Sequence, residues 1–182
     1  MLYYIRKVYL MSNTISTELL LRRPLVFNVK QRVDDSMLVL FASIVVIAEK
    51  EKTCPLVSFR TRGGLVSSAH KMINLLDCFK LGLDFLVEEE VSSAGILILP
   101  ASRKVFAKER AIFQWHLQTP GPKDQWMTKK ECDAGDWSKA KYLSERSFNK
   151  TKPQVFFDLM VNEKLLHAKE MKEIGIVHEI IP

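Results

Sequence analysis

The sequence predicts an α/β domain with a largely parallel sheet, because apolar runs of strand length alternate along it with longer stretches at helical spacing. Two further features agree. Residues suited to special backbone geometry, Gly63-Gly64 and Ser93, fall at the ends of such runs, where open α/β sheets gather their sites. The 182 residues, 47% apolar and 26% charged, make one domain large enough to bury a continuous core.

Residues 1–23 carry no firm pattern and are expected to form an arm, with Met11 an alternative start. Leu25-Val26-Phe27-Asn28-Val29 predicts a strand, Val33-Asp34-Asp35 a turn and cap, and Ser36 to Lys50 an amphipathic helix. Cys54 to Phe59 predicts a second strand, which runs into Gly63-Gly64. From Ser67 to Phe79, apolar residues at Ala69, Met72, Ile73, Leu76 and Phe79 have helical spacing. Leu83 to Val87 is a third strand, followed by a serine turn and a helix from Ala94. Lys104 to Ala107 and Ala111 to Trp115 are two more, the second delivering His116. Residues 118–152 turn polar and read as an inserted helical arm, whose aromatics, if exposed, would mark an assembly surface. A helix from Pro153, another from Ala168 to Ile174 stopped by Gly175, and a strand from Val177 to Ile181 close the chain.

Several function classes are disfavoured. The net charge of +6 is scattered rather than striped with aromatics, so no nucleic-acid partner is expected. No apolar run approaches the roughly 18 residues of a membrane span, and Met1 to Leu10 lacks a small-residue cleavage site, so the expected location is cytoplasmic. Cys54, Cys78 and Cys132 are widely spaced free thiols with no metal pattern, and no cofactor is expected.

Val91-Ser92-Ser93-Ala94-Gly95 precedes the apolar run Ile96-Leu97-Ile98-Leu99. A serine between small residues at a helix start places its hydroxyl beside unpaired backbone N–H groups, which favour the oxyanion formed when a serine attacks a carbonyl. A plain helix cap is the alternative use of the same residues.

Five stretches in order make the chain resemble the proteolytic subunit of Clp protease, within the ClpP/crotonase fold. They are Leu25-Val26-Phe27 through Val33-Asp34-Asp35-Ser36-Met37, then Gly63-Gly64, then Ser93-Ala94-Gly95 for the family's Ser-Met-Gly, then Ile112-Phe113-Gln114-Trp115-His116, and last Ala168 through Gly175 to Ile181. The resemblance covers residues 24–182 and implies a spiral of β-β-α units with a handle-like insertion over 118–152. It also implies a serine endopeptidase with Ser93 as nucleophile, His116 as base and Asp158 orienting the imidazole, the amides of Gly64 and Ala94 forming the oxyanion hole. Asn162 stands one helical turn beyond as a substitute for Asp158. Family members cut unfolded peptides inside homo-oligomeric rings. Since this chain has no phosphate-binding loop, an ATP-driven unfoldase would be a separate AAA+ partner.

Departures from the family bear on activity. Thr61-Arg62-Gly63-Gly64 replaces Ser-Pro-Gly-Gly, and Glu88-Glu89-Glu90 leads to the serine, where carboxylates either repel an oxyanion or point away. They motivate a noncatalytic scaffold as the competing function. A crotonase-type acyl-CoA enzyme is third, since such enzymes use carboxylates rather than a Ser-His pair.

Overall fold

The computed structural model describes residues 25–117 and 128–182; the expected N-terminal arm and the first part of the expected insertion, 118–127, lie outside the described residues. Alternation of apolar and polar side chains makes β1 (Val26–Lys30) a strand with Phe27 and Val29 turned inward. The Asp34 carboxylate accepts from the N–H groups of Ser36 and Met37, both at 3.0 Å, and so starts α1 (Asp35–Lys50). Its Met37, Phe41, Ile44, Val45 and Ala48 form one buried stripe.

The chain continues through β2 (Leu56–Arg60), α2 (Val66–Cys78), β3 (Asp84–Val87), β4 (Glu90–Ser92) and α3 (Ala94–Ile98). Then come β5 (Lys104–Lys108), β6 (Ile112–Gln114), α4 (Lys129–Arg146), α5 (Pro153–Val161), β7 (Leu165–His167), α6 (Ala168–Glu173) and β8 (Glu179–Ile181). A five-stranded sheet runs β1-β2-β3-β5-β8 with every pair parallel. A smaller sheet, β4-β6-β7, joins one parallel and one antiparallel pair. Parallel strands need a covered face, and β2 and β3 are correspondingly buried along nearly their whole length. Phe41, Phe59 and Phe85 interlock at the centre of the core, with ring centroids 4.9 to 6.0 Å apart.

Two strands were not expected. Glu90–Ser92 has poor strand propensity and Leu165–His167 is only three residues long; both are strands because β6 supplies each with a ladder. The arm is also more tightly bound than its polar composition implies. A capping box between Thr128 and Glu131 starts α4. Arg146 donates to both carboxylate oxygens of Asp77 on α2, at 2.8 and 2.6 Å. Trp137, half-buried, packs edge-on to Phe157 of α5 at 5.4 Å, so part of this aromatic is used within the protein.

Candidate active site

The smaller sheet assembles the site. The parallel register of β4 and β6 sets Ser92 opposite Gln114, so both strands end at the same place and the next residues of each emerge together. Ser93 N–H donates to the Gln114 carbonyl at 2.9 Å. Its backbone lies at φ 54°, ψ −129°, and its hydroxyl forms no cap bond to α3. A serine in that region is strained and is not acting as a cap.

Gly63 explains how the turn before α2 fits against this serine. It has φ +89°, and a Cβ placed there would lie 2.5 Å from Ser93 Cβ. Only glycine allows that approach. On one side of this segment, Val33 N–H donates to the Gly63 carbonyl and Leu65 N–H to that of Val33. On the other, Thr61 bridges Val91. The Gly64 N–H lies between the two bonds to Val33 and points to the opposite side, that of Val91 to Ser93. Ala94 is the first residue of α3, and its N–H has no acceptor within that helix.

Ser93, Ala94, His116 and Lys139 line one cleft, with Val66, Ile96, Leu97, Trp115, Leu117 and Met160 completing its wall. Lys139 was not expected from the sequence. It comes from the buried stripe of α4, which also carries Cys132, Asp136, Ala140 and Leu143. Its side chain is 8% exposed and that of Asp136 only 1%, and Nζ donates to Asp136 Oδ1 at 2.6 Å. A charged pair at core-facing positions one helical turn apart is a site signal readable in the sequence, because buried charges are retained only when partnered. Burial first, and then the charge of Lys139, hold the His70 imidazole below its ordinary pKa.

The other expected residues divide between the cleft and the surface. His116 enters the cleft, with Nδ1 2.7 Å from the Leu117 carbonyl. Asp158 is exposed on α5, where its carboxylate accepts from Gln154 Nε2 at 2.8 Å. Asn162 donates back to the Asp158 backbone carbonyl at 2.7 Å. Among the described residues, neither side chain makes a hydrogen bond to His116.

The three glutamates before the serine are all partnered. Glu88 accepts from Ser58 at 2.7 Å and lies 3.5 Å from Lys108. Glu89 pairs with Arg60 at 2.7 Å, and Glu90 accepts from Ser92 and lies 3.4 Å from Arg62. Their charge is compensated locally rather than directed at Ser93. No group of three His, Cys, Asp or Glu side chains among the described residues is arranged to hold a metal ion.

Neither a family model nor a curated protein sequence matches this chain. Solved structures do match. The 1510-N membrane-bound stomatin-specific protease, in a variant with a serine replaced by alanine, superposes with a TM-score of 0.66 at 15% identity, over 85% of this chain and 77% of the other. Another variant of that protease, with a lysine replaced by alanine and a substrate peptide bound, gives 0.70 at 12% identity, over 87% and 76%. The fold is ClpP-like. At such identity the likeness extends to architecture: a mostly parallel central sheet with helices packed on it. Among the described residues, no helix is long and apolar enough to cross a membrane.

Proposed function

We propose that this chain is a serine endopeptidase acting on unfolded peptide, with Ser93 as nucleophile and Lys139, held by Asp136, as the base. The observation that carries this is that a strained serine at a helix start and a buried lysine line one cleft. Ser93 Oγ would attack the peptide carbonyl as its proton passes to the Lys139 amine, the ammonium so formed being held by Asp136. The oxygen, gaining charge, would sit against the N–H groups of Gly64 and Ala94. Collapse breaks the C–N bond, the amine leaves with the proton from Lys139, and water repeats the cycle on the acyl-enzyme. Nucleophile, base and orienting carboxylate follow the logic of a triad with an amine in the central place. That a lysine variant of the structural neighbour was captured with substrate peptide supports the assignment.

A second reading keeps His116 as the base, as the Clp resemblance implies. It is favoured by the Leu117 carbonyl, which as acceptor for an Nδ1 proton would leave Nε2 free to take the one from Ser93. Asp158, exposed and engaged with Gln154, would not then be required. Enclosure of the site in an oligomeric ring belongs to this proposal too, and native mass measurement tests it.

A fluorophosphonate probe tests the chemistry. Stoichiometric labelling at Ser93, absent in Ser93→Ala, is expected. Lys139→Ala should slow labelling about 10²-fold or more, and His116→Ala and Asp158→Asn far less. A dominant loss in His116→Ala selects the second reading. No labelling of the wild-type chain in any assembly state sinks both in favour of a noncatalytic scaffold.

A further inference from the structure

We propose that Trp115 limits the substrate residue whose carbonyl Ser93 attacks to an alanine- or serine-sized side chain; this rests on the peptidase reading above. With the carbonyl oxygen against the amides of Gly64 and Ala94, the Cα of that residue is one bond from the reacting carbon. Its side chain must enter the cleft that starts at Ser93 and Ala94. That cleft is apolar over most of its wall, through Val66, Ile96, Leu97, Trp115 and Met160. It is also small, about 30 Å³, room for roughly two water molecules. A methyl or hydroxymethyl group fills the narrow part of such a space, whereas an isobutyl or benzyl group has to displace its wall or extend toward the open side.

Trp115 is the wall residue least able to yield. It is 2% exposed, and its ring lies 5.9 Å from that of Phe156, which is fully buried on α5. Its backbone is pinned as well, since Trp115 N–H donates to the Lys164 carbonyl at 2.8 Å. Close-packed interiors leave no volume into which a large planar ring can retreat. Met160, one turn beyond Phe156 on α5, is an unbranched chain that adapts its shape to its neighbours, so it tunes the cleft without setting its limit.

The test is kcat/KM on matched peptides differing only at the residue before the scissile bond, with cleavage sites confirmed by mass spectrometry. The wild-type chain should favour alanine or serine over leucine or phenylalanine by about tenfold to hundredfold. Trp115→Leu should reverse that order, with leucine and phenylalanine gaining at least about tenfold. Because loss of a packed core ring can unfold the protein, Met160→Ala serves as a second variant that widens the same cleft and should raise leucine alone. Melting curves establish that each variant is folded. A Ser93 that labels normally in an enzyme preferring leucine or phenylalanine overturns this inference alone, as do folded variants with unchanged preference. An unreactive Ser93 overturns the peptidase reading and this inference with it.

Discussion

Replacing Ser93 by glycine should make the protein more stable while abolishing the reaction proposed for that residue. At φ 54°, ψ −129° the residue occupies a region that costs a side chain about 1–3 kcal/mol, and its hydroxyl returns no cap bond. Glycine occupies that region freely but adds about 0.5–1 kcal/mol of unfolded-chain entropy. The net expectation for Ser93→Gly is a gain of between about 0 and about 2.5 kcal/mol, centred near about 1 kcal/mol. Ser93→Ala keeps the strained backbone and loses only the hydroxyl, so it should fall within about 0.5 kcal/mol of the wild type. A serine serving as an ordinary cap would behave in the opposite sense: alanine would cost about 0.5–2 kcal/mol and glycine a few tenths. Urea unfolding of the three proteins decides it, with midpoints compared at equal slope so that stability and denatured-state compactness are not confused. The reasoning is refuted if Ser93→Ala loses about 1 kcal/mol and Ser93→Gly gains nothing.

Gly63→Ala would force a Cβ to within 2.5 Å of Ser93 Cβ at a φ of +89°, and should slow fluorophosphonate labelling about 10²-fold while costing about 1–2 kcal/mol; labelling kinetics and urea melts measure the two effects separately. Asp77→Asn weakens the partly exposed bidentate pair tying α4 to α2, and should lower stability by no more than about 1 kcal/mol, an effect that fades in high-salt melts. His178 supplies the pH dependence. Burial, aided by Lys104, holds its pKa below the ordinary 6.5, and its Nδ1 accepts from Val105 N–H at 3.1 Å. The folded state therefore binds fewer protons than the unfolded one, so this share of stability is complete above pH 6.5 and is lost as pH falls through the folded-state value. Midpoints measured across that range should flatten in His178→Gln.

Much of the fold was legible because its signals are local. Asp34 with a following apolar stripe announces α1, short buried runs announce the parallel strands, and Gly175 closes the last helix, each within a window of a few residues. The serine between small residues and the Gly63-Gly64 pair were legible for the same reason: special backbone geometry narrows the choice of residue on the spot. Glu90–Ser92 was not, since a strand with weak propensity exists only through its partner. The glutamates likewise could not be judged from their spacing, because Lys108, Arg60 and Arg62, which offset their charge, and Ser58, which donates to Glu88, come from other strands and turns.

The sequence alone determined an α/β architecture and a serine poised at a tight turn, because periodicity and backbone permissiveness are written into consecutive residues. Only the tertiary structure decided which side chains meet that serine. It placed Lys139 and Asp136 in a buried stripe, set Lys139 in the cleft beside His116, and left Asp158 exposed on α5. That choice depends on how α4 and α5 pack on each other and on the core, a sum of long-range contacts that no short stretch of chain encodes.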